Sequence, residues 1–171
     1  MATYTLISSN VLTSSAASVT FSSIPATYTD LVLKMSTRTD GTGSTDNLLQ
    51  INSVSTTQSG ISLRGPGSVG GPQNAISTTR IPRIFGATSS ATANTFDNDE
   101  IYIPNYASST NKPLSVFVAQ ENNDASAYVN VQIIAGLYSS NTAITSLKIV
   151  ASSGENYISG CSFYLYGISN S

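Results

Sequence analysis

Nine carboxylates, one thiol and no imidazole set the chemistry open to this chain. Without histidine, Ser-His-Asp and Cys-His catalysis are excluded in their usual forms, as are zinc sites built on Cys and His. Paired carboxylates remain. The candidates are Asp30, Asp40, Asp46, Asp97, Asp99, Glu100, Glu121, Asp124 and Glu155. A glycosidase needs two such groups across a groove, about 5–10 Å apart, one with a raised pKa. Most of these acids stand beside Gly, Asn or Ser, contexts that read as solvated turns. An enzyme is therefore not expected, although a glycan depolymerase using one such pair stays open. Oxygen ligands for Ca²⁺ cluster in two places. One is Asp40 and Asp46, flanking Thr42 and Ser44; the other is the run Asp97-Asn98-Asp99-Glu100. Neither has the EF-hand spacing, both read as turns, and no metal or other cofactor is expected.

The lone Cys161 cannot form an intrachain disulfide, and it shares a phase with Phe163 and Leu165. It reads as a small buried hydrophobe, with a reactive or intermolecular thiol as the alternative. Nine tyrosines and no tryptophan give a notable aromatic balance. Sheet packing accounts for tyrosine most simply. A subunit interface comes next, because a ring with a polar tip suits one. A sugar-stacking platform is third.

Charged residues are only 9% of the chain and the net charge is −2, against about a quarter in typical globular proteins. Lys and Arg are scattered, so neither nucleic-acid binding nor a membrane-surface role is expected. The start, MATYTLISS, lacks the basic and apolar regions of a secretory signal.

The elements that must position these groups are strands. In residues 158–168 Cys161, Phe163 and Leu165 take one face, and Ser162, Tyr164 and Tyr166 the other. Both faces carry large side chains, as expected of a strand inside a sheet. Earlier runs alternate in the same way: Tyr4 and Leu6 opposite Thr5 and Ile7; Val19 with Phe21; Leu31, Leu33 and Met35; Leu49 with Ile51; Ile61 with Leu63. Later come Ile101 with Ile103; Leu114, Val116 and Val118 opposite Ser115 and Phe117; and Val129, Val131 and Ile133. Gly136 marks a bend or bulge in that last strand. Ile144 and Leu147 are out of phase, which calls for a bulge or an offset start near Thr145. Residues 65–98, by contrast, show little alternation and are rich in Gly and Pro.

About ten short strands and no helix longer than a turn predict an all-β protein. The preferred form is an antiparallel two-sheet β-sandwich, jelly-roll-like, in a single domain spanning 1–171. Residues 65–98 form an irregular insertion, with a short edge strand near Ile84, that serves as a binding loop or subunit contact. The candidate interface residues are Arg80, Arg83, Phe85, Tyr102, Tyr106, Tyr164 and Tyr166.

The run Gly160-Cys161-Ser162-Phe163-Tyr164-Leu165-Tyr166-Gly167-Ile168 resembles a C-terminal signature, Gly-Ser-x-Phe-x-Leu-Tyr-Gly-Ile, of small virion proteins of tailed bacteriophages. Phe21, Ile24-Pro25, Tyr28, Leu31-Val32-Leu33 and Arg38 resemble a pattern near the start of the same proteins, and Ile144-Thr145-Ser146-Leu147 a stretch before their final hairpin. Cys161 departs from the serine usual there. The likeness covers both ends and little of the middle, and its residues are structural. It implies a β-sandwich virion protein, a capsid decoration (cement) protein or a tail part, acting as a homo-oligomer, a trimer. The implied partners are the major capsid protein or other virion proteins, and the location is the virion, assembled in the host cytoplasm. A receptor- or carbohydrate-binding module of a tail or fibre is the alternative.

Overall fold

A computed structural model describes residues 1–43, 45–66, 73–121 and 130–169. Ser44, Asp124, Val129 and the Gly-rich stretch 67–72, all used above, lie outside the described residues.

Twelve strands are present among the described residues. They are β1 (Thr3–Val11), β2 (Ser18–Phe21), β3 (Asp30–Ser36), β4 (Thr45–Ile51), β5 (Gln58–Pro66), β6 (Gln73–Ser77), β7 (Ile84–Gly86), β8 (Asn98–Ile103), β9 (Lys112–Gln120), β10 (Asn130–Tyr138), β11 (Leu147–Ala151) and β12 (Ser162–Ser169). They form an eight-stranded sheet, β1-β12-β3-β8-β9-β10-β5-β6, and a four-stranded sheet, β2-β11-β4-β7. All strand pairings are antiparallel.

The order shows how the chain wraps. With β5–β6 and β9–β10 set aside, β1 lies beside β12, β2 beside β11, β3 beside β8 and β4 beside β7. Successive nested pairs alternate between the sheets, which is the jelly-roll arrangement. The two remaining pairs extend the larger sheet beyond β8 as a four-stranded wing. The expectation of about ten strands falls short because β6 and β7 give no alternation signal. β7 is the short edge strand anticipated near Ile84.

The core lies between the sheets. Leu31, Leu33, Met35, Ile101, Val116, Phe163 and Leu165 from the larger sheet meet Val19, Phe21, Leu49, Ile51, Leu147 and Ile149 from the smaller. Cys161, Phe163 and Leu165 are fully buried, as the alternation requires. β11 starts at Leu147, the offset start, while Ile144 is held by its N–H on the Tyr106 carbonyl at 3.0 Å. β1 runs as one strand through Ser9 to Val11. Its register shifts between Leu6 and Ser8, and this bulge accommodates the extra residue.

The inner face of the wing sets polar side chains beside core residues such as Leu114, Val116, Val118 and Ile134. The Asn130 amide donates to Gln120 Oε1 at 3.1 Å, and Gln120 Nε2 donates to the Gly86 carbonyl at 3.3 Å. Gln132 Nε2 donates to the Arg83 carbonyl at 2.8 Å and its Oε1 accepts from Phe85 N–H at 3.4 Å. Side-chain amides thus satisfy the backbone of residues 83–86, so this stretch needs no alternation of its own.

Gly136 does not bulge β10, whose register runs unbroken on both sides. It sits opposite Gly60, and the two glycines let Ile81 and Pro82 lie directly on the sheet. A Cβ on Gly60 would stand 2.7 Å from Pro82 Cδ and 2.8 Å from the Ala135 carbonyl oxygen. Gly60→Ala should therefore destabilise the fold by roughly 1–3 kcal/mol, read as a lower urea midpoint at unchanged slope.

Candidate interaction surface

The outer face of the larger sheet is built by register. Tyr4 and Leu6 of β1 stand opposite Ile168 and Tyr166 of β12. Tyr166 faces Val32 and Tyr164 faces Lys34. Val32 faces Tyr102 and Lys34 faces Glu100. Glu100 faces Phe117, Phe117 faces Ile133, Ile133 faces Leu63 and Ile61 faces Ile76.

Two apolar regions result. On the wing, Ile61, Leu63, Phe117, Val131 and Ile133 are each about half exposed, and Ile76 is 73% exposed. At the other end Tyr4 (58%), Leu6 (50%) and Val11 lie bare beside half-buried Tyr164 and Tyr166. Tyr4 meets Tyr166 edge to face at 6.4 Å between ring centroids. An Ile or Leu left half exposed forgoes about half of the roughly 1.5–3 kcal/mol that full burial contributes. Single exposed apolar residues are ordinary; a contiguous run across four strands marks an interaction site.

One ion pair divides the regions: Lys34 Nζ lies 2.8 Å from Glu100 Oε2. The hydrogen bond to Glu100 holds the Lys34 ammonium above its ordinary pKa. Tyr102 is partly buried beside it and donates its hydroxyl to Asp30 at 2.9 Å; burial and then that bond raise its pKa.

Of the residues singled out from sequence, Tyr102, Tyr164 and Tyr166 lie on this face. Tyr106 does not. It is fully buried, with its hydroxyl on the Pro25 carbonyl and the Tyr28 N–H donating to it at 3.4 Å, so it presents nothing to a neighbour. Arg80, Arg83 and Phe85 lie elsewhere, at the β7 edge of the smaller sheet. Arg83 pairs with Asp46 at 2.5 Å. The guanidinium groups of Arg64 and Arg83 both lie over the Phe85 ring, 4.4 and 5.2 Å from its centroid. The wing residues were not among the candidates. Their signal is apolar residues in both phases, as in Val116-Phe117-Val118 and Ile133-Ile134.

The acidic clusters resolve differently from solvated turns. Asp40 is exposed and accepts from Asn156 N–H and Nδ2 at 2.7 and 3.0 Å, which lowers its pKa. Asp30, Asp46, Asp97 and Asp99 are buried. Strand alternation splits the run at 97–100, sending Glu100 outward and both aspartates into the core. Asp97 accepts from Thr37 N–H (2.5 Å), Thr37 Oγ1 (2.7 Å) and Ala87 N–H (3.0 Å). Among the described residues Asp99 accepts only from Asn47 Nδ2, at 3.2 Å, and its Oδ1 has no partner. Tyr157 completes the network by donating to Asn47 Oδ1 at 2.9 Å. Burial pushes Asp97 up to about 7 despite its donors, and burial followed by the Asp97 charge pushes Asp99 well above the carboxylate range. Both acids are closed off from solvent. Among the described residues no group of three or more Cys, Asp or Glu side chains is placed to hold a metal. The Cys161 thiol is fully buried, exchanges contacts with the Arg38 N–H and carbonyl at 3.2 Å, and is raised in pKa by burial.

No family model, curated protein or solved structure matches the chain.

Proposed function

We propose that the chain is a structural protein of a bacteriophage particle, a capsid decoration or cement protein that packs the outer face of its larger sheet against other subunits. The exposed apolar face carries this reading, because covering it recovers burial energy that the isolated chain forgoes. The jelly-roll wrap suits such a role without requiring it. The phage setting rests on the resemblance of residues 160–168 to virion proteins, and the same likeness points to a trimer.

Sedimentation velocity at micromolar concentration should give a homo-oligomer. Mass spectrometry of purified particles encoded by the same genome should find the chain as a stoichiometric component. A monomer that is missing from particles would overturn the proposal.

A further inference from the structure

We infer that the strip between the two apolar regions is a binding site for an uncharged oligosaccharide, with Tyr164 and Phe117 as its stacking platforms and the Lys34–Glu100 pair as its hydrogen-bonding centre. Contacts confined to either apolar region leave this strip open, so the site does not depend on the proposed role in a particle.

Strand register builds the site. Tyr164 of β12 faces Lys34 of β3, Lys34 faces Glu100 of β8, and Glu100 faces Phe117 of β9. One cross-strand row thus runs aromatic, cation, anion, aromatic. Three strand spacings of about 4.8 Å put its two rings about 14 Å apart. That span is too long for one sugar ring and suits a short chain of them.

On the same row Lys34, Asn98, Glu100 and Phe117 line a recess of about 190 Å³. Pockets that enclose a drug-sized ligand are larger, roughly 300–1,000 Å³, so this one seats a single ring of a longer molecule lying on the sheet. An aromatic surface edged by a few polar groups fixes and orients such a ring. Half-exposed Phe117 offers its surface to the apolar C–H face of a pyranose. Lys34 Nζ and Glu100 Oε2 stand 2.8 Å apart. Two neighbouring hydroxyls can span them, one accepting from the ammonium and the other donating to the carboxylate. Both bonds are charge-assisted. The Asn98 side-chain amide adds a donor and an acceptor, and among the described residues it has no partner.

Charge disfavours the other occupants. The formal charges of Lys34 and Glu100 cancel, so an ionic ligand meets a like charge beside the opposite one. Nucleobases also stack on aromatic rings, but the phosphates between them need clustered cations. Lys34 is the only cation at the outward positions of β12, β3, β8 and β9. A wholly apolar partner would strip water from the pair and return no hydrogen bond.

The test applies the full chain to an array of neutral and uronic-acid oligosaccharides that also carries uncharged extended peptides. Neutral oligosaccharides should be retained, longer chains better than single sugars. Titration calorimetry with a retained oligosaccharide then locates the site. Phe117→Leu keeps the bulk and removes the ring, and should weaken binding about fivefold. Glu100→Gln should weaken it about tenfold. Ile76→Ser, on the wing, should leave it unchanged. Near-ultraviolet circular dichroism matching the wild type shows that the variants are folded. An array on which no neutral oligosaccharide is retained would overturn the proposal. So would affinity that neither Phe117→Leu nor Glu100→Gln changes, or stronger retention of the uronic-acid chains. Peptides held as tightly as the sugars would make the strip a polypeptide-docking face and overturn it too. None of these outcomes touches the oligomeric state or the particle composition expected of the proposed function.

Discussion

Asp99→Asn should make the protein more thermostable than the wild type at pH 8 and about equal to it near pH 4. The reason is the closed pair of acids under β8. Asp97 and Asp99 both bind a proton more tightly in the folded chain than in the unfolded one. Their contribution to stability is therefore complete below the unfolded value of 3.8 and is lost as pH rises through the folded values, about 7 for Asp97 and higher for Asp99. For Asp97 alone the shift corresponds to about 4 kcal/mol, or roughly 8–16 °C in melting temperature for a chain of this size. Among the described residues no cation contacts the pair; Thr37, Ala87 and Asn47 supply neutral donors. Asparagine keeps the shape of a neutral acid and cannot ionise, so Asp99's share of the loss disappears. Calorimetric scans from pH 4 to pH 8 at one protein concentration decide it. A wild-type melting temperature that is flat or rising over that range would mean that the pair is ionised and compensated.

Arg38→Met should destabilise the protein by at least about 3 kcal/mol, roughly 6–12 °C in melting temperature. The Arg38 guanidinium is buried, with no carboxylate partner among the described residues. It donates to the carbonyls of Ala91 (2.9 Å), Thr92 (2.8 Å), Thr95 (2.9 Å) and Ser89 (3.4 Å). The loop from Ala87 to Asp97 is thus wound around one side chain, and its carbonyls are satisfied by it. Methionine fills similar space but donates nothing, leaving buried acceptors unpaired. Arg38→Lys should recover only part of the loss, because an ammonium has no planar fork. Hydrogen exchange should localise the effect, with amides at 88–97 losing protection before those of β3 and β12. Equal loss across the sheet would show that Arg38 acts through the core and not through the loop.

The limits of sequence legibility have physical causes. Phe163 and Leu165 announce a buried phase because one face of β12 meets the smaller sheet. Val131 and Ile133 announce a stripe just as clearly, yet it is the exposed one. The opposite phase holds Gln132, whose amide binds Arg83 and Phe85, and Asn130, whose amide donates to Gln120. Alternation reports that a strand has two unlike faces, and a surface meant for a partner looks like a core. Asp97 and Asp99 look like turn residues because their neighbours are polar. Their burial depends on Thr37, Asn47 and Ala87, brought in from three other segments. Tyr106 illustrates the reverse case: nothing in its local pattern separates a tyrosine whose hydroxyl finds a buried carbonyl from one left at the surface.

The nesting of β1 against β12 sets the order of events during synthesis. At typical elongation rates β12 leaves the ribosome about 10–30 s after β1. β1 has no other strand partner among the described residues, so for that interval TYTLISSNV stands unpaired, uncharged and without proline. Such a segment is a ready template for pairing between nascent chains. The long-range pairings also make closure slow by topology alone. Yield in the cell should depend on how densely ribosomes crowd one message, a kinetic constraint separate from the stability of the finished sandwich.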